Sequence, residues 1–131
     1  MKEIIKVLKE NCDLSKSKYS NYKVISIFEF DDELILGANI ENASYSLSCC
    51  GERVALYNSI IKRKDFSKLK NIYVYSPSGS FPFPCGACLQ VLSEFVNLDT
   101  NINIINKDEE VIVKKLKEIF PLPFNMGEEN V

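Results

Sequence analysis

Cys50-Gly51-Glu52-Arg53 and, later in the chain, Pro84-Cys85-Gly86-Ala87-Cys88 are the two stretches around which the rest is organised. The first offers a thiol and, two residues on, a carboxylate. The second offers two thiols in a C-x2-C spacing. Taken alone, that spacing fits a redox pair, half of a structural zinc site, or coincidence. Together the stretches supply three soft ligands and one acid placed for proton chemistry. Three protein ligands leave the fourth tetrahedral position of zinc open to water, the layout of a catalytic rather than a structural site. Histidine is absent from all 131 residues, so imidazole bases and His-ligated metals are excluded. A metal site here must be built from thiolates, with carboxylates as the only other donors.

Working outward, both stretches read as helix starts that follow loops. Residues 49–64 form the first of these helices, with Cys50 and Glu52 in its opening turn; a helix N-terminus favours a thiolate electrostatically. The second begins near Cys85, where Cys88, Val91, Leu92 and Phe95 recur at i, i+3, i+4 and i+7. Upstream, Ile4, Val7 and Leu8 stripe a short helix over residues 1–12. Residues 13–20 are a polar loop. Residues 22–30, rich in β-branched and aromatic types, read as a strand that turns at Asp31-Asp32 and returns over residues 33–39. Residues 65–70 are a charged connector, and Lys62-Arg63-Lys64-Asp65 a solvated helix end. Residues 71–75 are a third strand, followed by a Pro/Gly loop over 76–84. Residues 101–105 and 111–113 complete the strands, with a last helix over 114–120. Strands interleaved with helices predict an α/β fold: one three-layer α/β/α domain over residues 1–131, built on a mixed five-stranded sheet, with 121–131 as a peripheral tail.

Length and composition agree with this. The chain holds one hydrophobic core comfortably but not two. A net charge of −2 with no basic block argues against a nucleic-acid polymer as partner. The apolar runs are too short to span a membrane. The opening residues lead into an amphipathic segment rather than a leader, so a cytoplasmic location is expected. An odd count of five cysteines disfavours a disulfide framework; Cys12 and Cys49 are most simply buried thiols.

Gly37-Ala38-Asn39-Ile40-Glu41-Asn42-Ala43-Ser44-Tyr45, then Cys50-Gly51-Glu52-Arg53, then Pro84-Cys85-Gly86-Ala87-Cys88 with Gln90-Val91, resembles the small three-cysteine cytidine deaminases. The ligand-x-Glu and P-C-x-x-C pattern is also the general signature of zinc deaminases. The resemblance runs over residues 19–95, and more weakly to 124. It implies a homotetramer, one zinc per chain, and hydrolysis of cytidine and deoxycytidine to uridine and deoxyuridine plus ammonia, the chemistry of pyrimidine salvage. By the same resemblance Cys50, Cys85 and Cys88 are the zinc ligands and Glu52 the proton shuttle. Asn39 and Glu41 would hold the ribose hydroxyls and Tyr22 would lie against the nucleoside. Arg53 would donate to zinc-bound sulfur, and Phe124 would face a neighbour's substrate. Without the shared motif, Glu41 reads as a loop acid, Asn39 as a turn former, Tyr22 as a strand aromatic and Phe124 as plain packing.

The chain also departs from that pattern. Gly51 stands where the family usually has alanine, and Leu89 where it has an arginine directed at the sulfurs. Three thiolates on zinc carry a net charge of about −1, which arginines offset. Leu89 leaves Arg53 alone to do so. Ile25-Ser26-Ile27 replaces a run of small residues, so Ile25 and Ile27 are expected to pack around Leu89 behind the site. Two other readings are an enzyme acting on another aminopyrimidine, such as a blasticidin-type antibiotic, and a zinc-stabilised pseudoenzyme. Asn39 and Glu41 weigh against the first, and Glu52 against the second.

Overall fold

In the computed structural model, which describes residues 1–127, strands β1 (Ile25–Phe30) and β2 (Leu34–Ala38) form an antiparallel hairpin. β1 pairs antiparallel on its other side with β3 (Leu69–Tyr75). β3 pairs in parallel with β4 (Asn101–Ile105), and β5 (Val111–Lys115) closes the sheet antiparallel to β4, giving the order β2-β1-β3-β4-β5. The one parallel pair is joined through a helix, α3 (Gly86–Ser93), because parallel strands need a crossover. The mixed five-stranded sheet expected from the sequence is present.

Alternation along the strands gives the sheet two apolar faces. Phe28, Ile72, Val74, Ile102 and Ile104 point to the face covered by α2 (Gly51–Ile61) and α3, where Leu56 and Leu92 meet them. Ile25, Ile27, Tyr75 and Ile105 point the other way, onto Ile4, Ile5 and Leu8 of α1 (Lys2–Glu10). The result is the three-layer α/β/α arrangement. Gly37 sets how closely α2 lies on β2: a Cβ there would come within 2.2 Å of the Ala55 backbone nitrogen. α2 is therefore seated on the hairpin by the absence of a side chain.

Several boundaries differ from the expected ones. The first helix ends at Glu10 and is followed by a 3-10 turn, Cys12–Leu14. Residues 22–24 do not join β1, because Asn39 captures their backbone: its Nδ2 donates to the Tyr22 carbonyl (2.7 Å) and its Oδ1 accepts from the Val24 N–H (3.0 Å). α2 starts at Gly51 rather than Cys49, since Cys49 is paired through its backbone with Ile40. α2 ends at Ile61, with Arg63 in the left-handed region (φ 58°). Lys62 and Lys64 are not simply solvated; each forms an ion pair of 2.7 Å to Glu33 and Asp32, tying this end of α2 to the β1–β2 turn. β3 begins earlier, at Leu69, and β5 runs on to Lys115, leaving α4 (Leu116–Ile119) a single turn. α3 ends at Ser93, short of Phe95. Ile25 and Ile27 face α1, on the opposite side of the sheet from Leu89, so they do not pack behind the site. Cys12 and Cys49 are half-buried rather than buried. Of the tail, residues 128–131 lie outside the described residues.

Candidate active site

The starts of α2 and α3 meet on one face of the sheet, and the three thiols converge there. Cys50 is the residue before α2 and Cys85 the residue before α3; Cys88 lies in the first turn of α3. The Sγ atoms of Cys50 and Cys85 are 3.9 Å apart, those of Cys85 and Cys88 3.4 Å, and all three lie within 4.8 Å of one another. Tetrahedral zinc with bonds of about 2.3 Å to sulfur separates its thiolates by about 3.8 Å. The donor set therefore fits zinc in type and spacing. Cys85 Sγ also accepts from the Cys88 N–H (3.5 Å), so its direction is set by the helix start it caps.

Arg53, one turn into α2, returns to the sulfurs. Its Nη2 donates to Cys50 Sγ (3.5 Å), and its guanidinium also serves Cys88. Cys50 is pulled down to about 5, first by the hydrogen bond from the Cys88 thiol and then by Arg53. Cys88 is pushed up by the same bond and by burial. Between these two the negative charge resides on Cys50. The Arg53 guanidinium is held even more firmly in its charged form, chiefly by its bond to Cys50.

Glu52 is 3% exposed, and its Oε1 has no hydrogen-bond partner among the described residues. Burial pushes the carboxyl up to about 7, and the Cys50 charge adds to the effect. A buried carboxylate oxygen without a partner is costly, and such groups mark sites where a proton or a ligand is handled.

Asn39 directly follows β2 beside the first residue of α2, where a Cβ on Gly51 would lie 3.4 Å from the Asn39 nitrogen. Its side chain is buried and engaged: Oδ1 accepts from Ser15 Oγ as well as from Val24, and Nδ2 keeps one hydrogen beyond the bond to Tyr22. Glu41 accepts from the N–H groups of Tyr19 (3.2 Å) and Ser20 (3.1 Å) and from the Ser20 hydroxyl. It borders a cavity of about 410 Å³ shared with Tyr19, Ser20, Asn42, Tyr45 and Ser48. Tyr22 is half-buried against the core. Phe124 is 68% exposed. Leu89 is buried with Val24 and Leu92.

Two residues had no assigned role in the sequence. Gln90, two positions after Cys88, grips the backbone of Phe124 at both ends: Nε2 donates to its carbonyl and Oε1 accepts from its N–H, both at 3.0 Å. Ser20 binds Glu41. Gln90 stood inside a recognised motif and could have been flagged from it; Ser20 looked like any polar loop residue.

A tri-thiol centre at two helix starts, with a buried acid in the turn beside it on an α/β sheet, is a candidate metal site. Residues 1–102 match the family model described as the cytidine and deoxycytidylate deaminase zinc-binding region. The chain is 34% identical to a cytidine deaminase of Halalkalibacterium halodurans over 86% of this chain and 84% of that protein. It is 29% identical to a cytidine deaminase of Mycoplasma pneumoniae over 93% and 92% of the two chains. The crystal structure of a cytidine deaminase from Burkholderia pseudomallei superposes with a TM-score of 0.86, at 29% identity over 93% of this chain and 97% of that one. The chain belongs to the cytidine and deoxycytidylate deaminase family.

Proposed function

We propose that this protein is a zinc-dependent cytidine deaminase, which hydrolyses cytidine and deoxycytidine to uridine and deoxyuridine with release of ammonia. The observation that carries the reading is the convergence of three thiols beside the buried, unpartnered Oε1 of Glu52. Cys50, Cys85 and Cys88 hold the zinc, which when bound supplies Lewis-acid activation of the attacking water. Glu52 would take one proton from the attacking water and pass it to the ring nitrogen, then take the second from the new hydroxyl on the ring carbon and pass it to the leaving amine. A carboxyl near 7 is suited to both directions of transfer at neutral pH. Arg53 donates to the Cys50 and Cys88 sulfurs and offsets the thiolate charge. Asn39, through its remaining Nδ2 hydrogen, and Glu41, through its free acceptor position, bind sugar hydroxyls. Tyr22 bounds the nucleoside.

The whole chain acts as one domain, since a single sheet carries both apolar clusters. A homotetramer is supported by large apolar side chains left exposed, including Tyr45 (80%), Leu47 (70%) and Phe124. In that assembly Phe124 faces a neighbour's substrate. A reducing, cytoplasmic setting keeps the three ligand thiols available to metal, and the place of the reaction is pyrimidine salvage.

Loss of ultraviolet absorbance on mixing the zinc-loaded protein with cytidine, deoxycytidine and blasticidin S, in separate cuvettes, tests this. Turnover of the two nucleosides is expected, and turnover of blasticidin S alone would overturn the substrate assignment. Glu52→Gln should reduce kcat by roughly 10²- to 10⁴-fold with zinc content unchanged. Residual activity within tenfold would remove Glu52 from the shuttle role.

A further inference from the structure

We propose that Ser20 is a positioning residue for sugar recognition, holding the Glu41 carboxylate in one fixed orientation for a ribose hydroxyl. The inference rests on the nucleoside reading above and concerns a residue to which that reading gives no part.

Glu41 lies on the loop after β2, half-buried at the edge of the 410 Å³ cavity. A loop glutamate with solvent beside it samples several rotamers, and fixing one of them at the moment of binding costs affinity. Here it is already fixed. Oε1 accepts two backbone N–H groups, from Tyr19 and Ser20, and Oε2 accepts the Ser20 hydroxyl. The hydroxyl is itself oriented, because Ser20 Oγ accepts from the Tyr22 N–H at 3.0 Å, which leaves its hydrogen for Glu41. An ionised carboxylate has about four acceptor positions. Three are occupied, and the remaining one is on Oε2, the oxygen that carries a single bond. The same contacts hold Glu41 below the usual carboxylate range, the Ser20 hydroxyl foremost, so it stays an acceptor.

The loop that presents Ser20 is tied down independently. The Lys16 N–H donates to the Asn39 carbonyl and the Glu41 N–H to the Lys16 carbonyl, both at 2.9 Å. Asn21 adopts a left-handed φ of 58°, its N–H bonded to the Ser17 carbonyl at 2.7 Å. The turn at 19–22 is thereby shaped to aim one hydroxyl and two N–H groups at one carboxylate. Asn39 and Glu41, two residues apart, are both braced by the 15–24 segment, Asn39 through Ser15 and Val24 and Glu41 through Tyr19 and Ser20.

A donor that orients an acceptor acts on substrates that use the acceptor, and on no others. The test compares kcat and KM of wild type, Ser20→Ala and Ser20→Thr with cytidine, deoxycytidine and 2′,3′-dideoxycytidine. In Ser20→Ala the KM for cytidine and deoxycytidine should rise about tenfold more than that for the dideoxynucleoside, the scale of one charge-assisted hydrogen bond. Ser20→Thr, which restores the hydroxyl, should return the ratio to the wild-type value. Should Ser20→Ala lose its fold by circular dichroism, Ser20→Cys, a weak donor of similar size, makes the same comparison. An equal rise for all three nucleosides, an unchanged ratio, or a lower KM for cytidine would overturn the proposal while leaving the deaminase intact. A wild-type protein inactive on all three would overturn the deaminase reading itself.

Discussion

Glu52 is held in a place that suits its protonated form, and this makes a prediction for the protein stripped of metal. Its carboxyl stands at about 7 in the fold against 4.5 in an ordinary setting. A pKa raised by folding means that the fold favours the proton. The stabilising contribution is complete below about 4.5 and is lost as the pH rises through 7. Glu52→Gln, neutral at every pH, escapes that loss. In metal-free, reduced protein the variant should therefore gain on wild type as the pH goes from 4.5 to 8, by about 3 kcal/mol in denaturant melts. A difference that does not vary with pH would show that burial is not what controls this group. Arg53 shows the same close coupling from the cationic side: one guanidinium serves two sulfurs, where the related sequences were expected to use two arginines.

At the scale of elements, α3 combines two of the three clustered thiols, Cys85 at its start and Cys88 in its first turn, with core packing. Leu89, next to Cys88, is 7% exposed and belongs to the cluster with Val24, Leu92 and Val96. The family arginine has no prepared space there. Leu89→Arg should lower the Tm of the zinc-loaded protein by roughly 5–10 °C, the scale of a buried charge in a domain of this size. An unchanged Tm with an acid-shifted kcat profile would instead mean that the guanidinium had reached the sulfurs. The elements were legible from alternation and helical spacing, and so was the pairing of two thiol-bearing helix starts. The exceptions share a cause. Residues 22–24 have strand-forming side chains, yet Asn39, distant in the chain, takes their backbone. Ser20 meets Glu41 from 21 residues away and Gln90 meets Phe124 from 34. Local pattern carries no record of such partners. Ile25 and Ile27 do not pack around Leu89 as expected, because period-two alternation fixes that they share a face, not which helix covers it.

For the whole molecule, the three thiols gather where the starts of α2 and α3 meet. Metal binding to a site absent from the unfolded chain is folding free energy. Chelation should therefore lower the Tm of wild type, and Cys85→Ala should contain little zinc, melt near the chelated wild type and respond no further to chelator. Full zinc in Cys85→Ala by metal analysis would break the ligand assignment. The C-terminal segment is attached by other means. Gln90 imitates a neighbouring strand: one amide side chain reads the carbonyl and N–H of Phe124 and ignores its ring. A peptide gripped by its main chain keeps its course whichever side chain it carries. Position 124 can thus be recoded to alter what the ring touches without rerouting the segment, making it a natural cassette for redesign.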